Sequence, residues 1–478
     1  MFKTMRDAWN VPDLRKKILF TLFIIVLYRL GSVIPVPFAN PSVLQTASQA
    51  ASSSLLTYFT FISGSSFSQA TLFALSISPY ITASIVVQLL CVAIPKWQQW
   101  QKEDGEEGRR KLDKITRYIT VGLSLITAFG YYQYLKNTVD SNTGENGIVS
   151  VKLFANSTLN EWAVAIVMIA CYCAGACLIM WLGEKIDNFG IGNGISIILF
   201  INILSGIPNM AYTFYYKNRQ PGTGKEPMAL WLFILIAALI IIFFLVAITF
   251  IVHITEAERR IKVSYAKRVQ GRKMYGGQDS DLPIKLNMSG VMPIIFAQSI
   301  ASIPATIALM PFARGTEYTA QMAADGVAYK FEHWWYDFTN KTFSHTSPLY
   351  MVIFFALIIA FAYFYIAISF DPTEISNNLK KNGGFVLGLR PGAPTANFIK
   401  RVTNRITLIG ALFLSVVAII PLIVNATMGN SLGIVAFGGT SILILVGVAL
   451  ETVRELEAQL TTYRRPGNAG GIFRGKRK

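Results

Sequence analysis

Residues that could do bond-making chemistry are few in this chain and poorly spaced for it. The three histidines, His253, His333 and His345, stand far apart. Cys171, Cys173 and Cys177 crowd one apolar stretch, a spacing open to a soft metal ion or, alternatively, to three inert thiols. Gly222-Thr-Gly-Lys225 resembles a phosphate loop, but it lacks the glycine five positions before Gly224 and has Glu226 where Ser or Thr would hold magnesium. Gly190-Ile-Gly-Asn-Gly194 resembles a dinucleotide loop only on the surface, because no strand pattern precedes it and a long apolar run follows. No pair of titratable groups is placed to share one pocket, so neither an enzyme nor a cofactor is expected. The spacing that does stand out is apolar. Ile77, Ile81 and Ile85 recur every four residues and share one helix face, directly after a Ser- and Gly-rich stretch from Phe61 to Gln69. This pairing reads either as a hole lined by isoleucine with a loosely held cover, or as a re-entrant surface loop ahead of an ordinary packed helix.

The elements that must hold these residues are membrane helices. A chain of 478 residues that is 53% hydrophobic and 14% charged has too little polar surface for a soluble protein of that length. Apolar runs of spanning length fall near 18–38, 76–94, 118–135, 161–182, 193–213, 229–252, 288–311, 349–370, 405–425 and 434–453. The first follows a charged lead with no small-residue cleavage pattern after it, so it reads as an anchor and not a removed leader. Of the 43 Lys and Arg, 34 (counting Arg405 at a span edge) lie on the side of the termini, 8 lie on the opposite side, and Arg29 lies inside the first run. Positive charge collects on the cytoplasmic side, so both termini are expected there. The net charge of +17 then records topology and a docking surface, and no nucleic-acid module is needed to explain it.

Ten spans divide into two sets of five, 1–213 and 229–453, around a polar connection at 214–228, with a basic tail at 454–478. An odd number in each half turns the second half upside down, as an inverted repeat requires. Apart from Arg29, no charged residue lies well inside a span, whereas ion-coupled carriers keep an ionisable site at mid-membrane. The polar groups within spans are amides and hydroxyls, among them Ser78, Thr82, Ser84, Gln88, Asn202, Asn287 and Gln298, whose ordinary use is hydrogen bonding between helices. Two basic cytoplasmic loops remain. Residues 255–285 alternate apolar and basic side chains through Arg260–Lys267 and continue to Gly271 and Gly276-Gly277, the pattern of a β-hairpin finger. Residues 379–404 are basic and stiffened by Pro391 and Pro394. Such loops suit an acidic or RNA-bearing partner, or simply anionic lipid.

Nine separated motifs then point to one family. They are Arg29-Leu-Gly-Ser-Val-Ile-Pro35, Ser78-Pro-Tyr-Ile-Thr-Ala-Ser84, Glu107-Gly-Arg-Arg-Lys111, Trp181-Leu-Gly-Glu184, Gly190-Ile-Gly-Asn-Gly-Ile-Ser196, Tyr265-Ala-Lys-Arg268, Asn287-Met-Ser-Gly290, Gly388-Leu-Arg-Pro-Gly392 and Gly438-Gly-Thr-Ser441. In this order they closely resemble the SecY family of protein-conducting channels. The resemblance implies an all-α polytopic fold of ten transmembrane helices, in two inverted halves of five around a central hourglass pore. It implies a function as well: passing unfolded secretory polypeptides across the membrane and releasing signal sequences and transmembrane segments sideways into lipid.

The resemblance also assigns roles. The pore ring falls on Ile77, Ile81, Leu199, Ile295 and Ile444, with Leu199 where the family usually has isoleucine. The plug falls at about 58–70, including Phe61, Ile62, Ser63, Gly64, Ser65, Ser66 and Phe67. The lateral gate falls on Thr82, Ile85, Gln88, Asn287 and Gln298, and partner docking on Arg268, Arg272, Lys273 and Arg390. The implied partners are the membrane subunits SecE and SecG, the motor ATPase SecA, the ribosome, signal-bearing polypeptides and membrane lipid. Two other readings stay open: a small-solute secondary transporter, and an insertase or scaffold without a through-pore.

Overall fold

A computed structural model describes residues 2–39, 66–67, 69–102, 105–137, 157–219, 230–265, 268–270, 273–275, 279–308, 334–335, 338, 347–428 and 433–464. In chain order the helices before the first strand are α1 (Phe2–Trp9), α2 (Pro12–Gly31), α3 (Ser78–Ala93), α4 (Pro95–Lys102), α5 (Gly105–Asn137), α6 (Ser157–Phe189), α7 (Gly194–Arg219) and α8 (Leu230–Glu256). Strands β1 (Glu258–Tyr265), β2 (Arg268–Gln270), β3 (Lys273–Tyr275) and β4 (Asp279–Lys285) follow, then α9 (Met292–Ala301), α10 (Ile303–Ala308), α11 (Pro348–Ser369) and α12 (Pro372–Lys381). Strand β5 (Gly384–Val386) and helices α13 (Ala393–Met428) and α14 (Gly433–Arg464) complete the order.

Helix is found over most of each of the ten expected stretches, with ends set by local chemistry. Helix α2 starts at Pro12, a residue that suits the first turn because its missing N–H would go unpaired there anyway. It stops at Gly31, short of the expected 38, where Ser32 turns and its hydroxyl donates to the Arg29 carbonyl. Arg29 therefore sits in the last turn, where a cation meets the negative end of the helix dipole. Helix α3 ends before Pro95, and α4 leaves it at a bend of 110°. The seventh expected span is broken at Ser302 into α9 and α10. Helices α13 and α14 run past their apolar stretches into charged sequence.

Four described helices are long and apolar enough to cross a membrane on their own, at Glu161–Phe189, Phe233–Glu256, Pro348–Lys381 and Ala393–Val424; the bent pair α3–α4 could make a fifth. The α8 span is apolar on all sides and almost wholly uncovered, as a lipid-facing helix should be.

Two compact units partition the chain. The first comprises Met1–Lys217, Gln298–Tyr350 and Val448–Lys478; the second comprises Asn218–Ala297 and Met351–Gly447. In the first, Ala8 and Leu14 pack with Ile191, Leu456 and Leu460, tying α1 and α2 to the C-terminal part of α14. In the second, β1 lies between β4 and β5 in an antiparallel sheet, with Val263 opposite Ser280 on one side and Val386 on the other. Beyond it, β2 and β3 form a smaller ribbon, Arg268 opposite Tyr275.

The expected hairpin finger is thus present, but it does not stand alone. Ile261, Val263, Ile284 and Val386 form a core with Val402 and Ile406 of α13, and Leu379 of α12 packs against it. Asp371 caps α12 by accepting from the Thr373 and Glu374 amides at 2.8 and 3.4 Å.

Candidate functional site

The chain leading into α3 is held tightly. The Val36 amide donates to the Ala70 carbonyl at 3.0 Å and the Leu72 amide to the Ile34 carbonyl at 2.9 Å, so the segment pairs with the chain that follows α2. Two glycines make room for it. A Cβ on Gly31 would stand 2.2 Å from the Phe73 ring, and one on Gly175 of α6 would stand 2.0 Å from the Leu72 carbonyl oxygen. Of the assigned plug residues, Phe61 to Ser65 lie outside the described residues, while Ser66 and Phe67 are buried. Phe67 packs on Tyr131 with ring centroids 4.6 Å apart, Tyr131 meets Tyr172 edge-on at 5.0 Å, and the Tyr131 hydroxyl donates to the Phe67 carbonyl. Phe67, near the C-terminal end of the segment the resemblance assigns as plug, is therefore seated in an aromatic socket built by α5 and α6. Tyr131→Phe should cost about 1 kcal/mol, because it removes the buried hydroxyl bond to that carbonyl and leaves it only the longer one from the Ala70 amide at 3.3 Å; faster amide exchange over Ala70–Thr71 would register the loss.

All five ring positions are buried, each between 1% and 6% exposed. In the first unit, Ile77 is the residue before α3, its carbonyl accepting from the Ile81 amide at 3.1 Å, so the two lie one turn apart. Ile77 and Ile198 lie beside Gly183 of α6, with their Cδ1 atoms 3.9 and 3.6 Å, an ordinary contact distance, from where a Cβ there would be. Leu199 follows Ile198 on α7. In the second unit, Ile295 is on α9 and Ile444 on α14. These two helices meet at Gly447, where a Cβ would stand 2.1 Å from Val291 Cγ1. Ile444 and Ile295 are each within about a turn of that contact.

The assigned gate residues make local bonds. Thr82 Oγ1 donates to the Ser78 carbonyl at 3.0 Å, Gln88 Nε2 to Ser84 Oγ at 3.4 Å, and Ser289 Oγ to Asn287 Oδ1 at 3.4 Å. Ile85 is buried on α3 and Gln298 is half-buried on α9. Asn287 is buried where the chain passes α13 at Gly410, a position at which any Cβ would meet the Leu286 carbonyl. Among the docking residues, Arg268 and Lys273 are paired through their strands, and Arg272 lies outside the described residues. Arg390 is exposed in a turn bracketed by Gly388 at φ +83° and Gly392 at φ +106°, and its carbonyl accepts from Thr395 Oγ1 at 2.8 Å. Neither glycine has an atom within 4 Å of a would-be Cβ, so the backbone twist, not crowding, requires glycine there.

Several residues that position the site carry no role in the sequence reading. Asp187 Oδ1 accepts from the Gly194 amide at 2.7 Å and Asn193 Oδ1 from the Ser196 amide at 3.2 Å, capping α7. Gly194 lies against Gly183, and Thr21 Oγ1 accepts from the Ile191 amide at 3.1 Å. The loop at 190–194 is thus the tight turn that brings α6 and α7 together. Tyr28 Oη donates to Asn202 Oδ1 at 2.6 Å, and Asn202 Nδ2 donates to Ser76 Oγ at 3.0 Å, which joins α2, α7 and the turn before α3. A buried asparagine is visible in sequence; its partners, far away along the chain, are not.

A mostly helical chain with this seated segment and this small sheet has the fold of the protein-conducting channels. It is similar to a solved structure of a protein-conducting channel, with a TM-score of 0.56 at 17% identity over 96% of this chain and 95% of that one. It is also similar to Sec61 in the canine ribosome–channel complex from the endoplasmic reticulum, with a TM-score of 0.54 at 17% identity over 96% and 95%. The family model described as SecY matches residues 71–453. Protein translocase subunit SecY of Streptomyces galbus is 39% identical over 469 residues, covering 96% of this chain and 98% of that protein. The same subunit of Halalkalibacterium halodurans is 40% identical over 463 residues with the same coverage. The chain belongs to the SecY family.

Proposed function

We propose that this chain forms the pore of a channel that carries unfolded secretory polypeptides across the bacterial plasma membrane and releases apolar segments sideways into lipid. Family membership across 71–453 supports the class of function. The observation that carries the pore reading is the largely buried tether from Ala70 to Ser76, which runs directly into Ile77 and Ile81. In this reading ten helices cross the membrane, halves 1–213 and 229–453 face each other across the pore, 214–228 hinges them, and both termini with the tail 454–478 are cytoplasmic.

The chemistry follows from the side chains. Ile77, Ile81, Leu199, Ile295 and Ile444 give water and ions no hydrogen-bonding partner, so a constriction made of them closes by dewetting while offering a passing peptide no polar site to stick to. Residues 58–70 cover it from outside. Gly64 and its neighbouring serines ease the displacement of that cover, while the socket around Phe67 keeps its end attached. Release through a gate at Thr82, Ile85, Gln88, Asn287 and Gln298 is a partition step. A signal core of about 7–15 apolar residues gains several kcal/mol in lipid at roughly −0.3 to −0.6 kcal/mol each, and one central charge at about +3 kcal/mol cancels much of that. The finger with Arg268, Arg272 and Lys273 and the turn with Arg390 offer docking positions for the ribosome and for SecA; SecE and SecG complete the channel. Joining of β5 to β1 makes one platform of the two loops.

Vesicles carrying the chain with SecE and SecG, given SecA, ATP and a secretory precursor, are expected to accumulate protease-protected precursor. Uptake of small solutes without protected precursor would replace this reading with a transporter. Insertion of apolar segments without protection of a soluble chain would replace it with an insertase.

A further inference from the structure

We propose that Asn202 is a positioning residue for the pore-lining helix, latching the backbone just before Ile77 and so setting how tightly the resting channel is sealed. The inference rests on the channel reading above. Three observations carry it. Ser76 adopts φ +52°, a left-handed conformation that residues with a side chain rarely take and that glycine takes freely. Such a conformation persists where the surroundings over-determine it. Here they do: Asn202 Nδ2 donates to Ser76 Oγ at 3.0 Å, Tyr28 Oη donates to Asn202 Oδ1 at 2.6 Å, and all three residues are at most 2% exposed. On the other side of the segment, Phe73 stacks on Tyr28 with centroids 5.4 Å apart and planes 11° from parallel, seated over Gly31.

One side chain thus joins three elements. Asn202 stands one turn after Leu199 on α7, and the residue it grips precedes Ile77, the first residue of the α3 isoleucine face. Tyr28 anchors the pair to α2. In a buried setting such a chain of donors is strengthened by its own polarisation, and a half-broken chain is costly. The latch therefore has two settings, fully made or released, and not a continuum. Released, it frees the backbone at Ser76 to leave the left-handed region, which moves Ile77 and Ile81 off the seal and slackens the tether that ends at Phe67.

The test is a double-mutant cycle on the assembled channel, with SecE and SecG, in planar bilayers and in vesicles. Resting ion conductance per inserted channel is the readout that a general loss of stability would not raise, and export of a secretory precursor is measured beside it. Asn202→Leu is expected to raise resting conductance at least threefold while export continues. Placing Ser76→Gly in the same chain should cut that rise by more than half, because glycine holds φ +52° without help. Tyr28→Phe, which keeps the stack on Phe73, should give a smaller rise in the same direction, and it carries the test if Asn202→Leu fails to insert. Unchanged conductance in the inserting variants, or a rise from Asn202→Leu that Ser76→Gly leaves undiminished, overturns the latch. A wild-type channel that exports nothing overturns the channel reading instead.

Discussion

Leucine in place of Gly175 is expected to expel residues 70–76, the segment that follows the proposed plug, from their seat. The first atom of the new side chain would stand 2.0 Å from the Leu72 carbonyl oxygen and 3.0 Å from its carbon, and both are backbone atoms that cannot rotate away. Either α6 shifts or residues 70–76 do, and the segment is the weaker element because it has turn conformation while α6 is a helix of 33 residues. Overpacking of this kind costs about 3 kcal/mol. The loss falls on the aromatic socket, since Met168 and Tyr172 of α6 line it together with Tyr131 and Phe67. Limited proteolysis should find new cleavage between Ser66 and Ser76, and resting ion conductance should rise. Gly122 is the control. It is exposed on α5 with nothing within 4 Å of a would-be Cβ, so Gly122→Ala should leave conductance unchanged and stabilise the helix by up to about 1 kcal/mol.

Val263→Asp should have the larger effect on docking. Val263 is 2% exposed at the centre of the three-stranded sheet, opposite Ser280 and Val386, and packed in the core that α13 closes. The residues that form that core are apolar, and stranding a carboxylate among them costs more than about 4 kcal/mol, enough to melt so small a sheet. The expected result is rapid protease cleavage within 255–285 and loss of SecA-driven export, with the helices still inserted. Ser264→Ala removes only an exposed bond to Asp279 Oδ1 and should cost about 1 kcal/mol or less.

How much of this was legible depends on how far the determining contact lies along the chain. The hairpin was readable because its alternation and its turn glycines are local to 255–285, and β1 and β4 pair as that pattern requires. Strand β5 was not, because three residues, Gly384 to Val386, carry no periodicity and become a strand only by lying against Val263–Tyr265. The helices announced themselves by composition, yet Gly31 ended the first one early and Ser302 broke another, both through backbone turns that apolar sequence does not display. The site divides in the same way. The isoleucine face beginning at Ile77 was visible as a period of four, and its members Ile77, Ile81 and Ile85 are buried. Asn202 was visible as an amide suited to bonding between helices, but its partners, the left-handed Ser76 and the glycines that admit the neighbouring residues were not, since each is defined by a contact far along the chain. The 190–194 glycines looked like a nucleotide loop in miniature; in the fold they let α6 and α7 approach and leave the Gly194 amide for Asp187.

The central claim, that a polypeptide passes through the ring, is tested most directly by photo-crosslinking a secretory chain arrested halfway through export. A crosslinking amino acid replaces Ile81, Ile295 or, as a lipid-facing control, Ile241, which is 60% exposed on α8. Crosslinks at Ile81 and Ile295 with none at Ile241 are the predicted result and place the path inside the ring. An arrested chain that touches neither ring position would contradict the account.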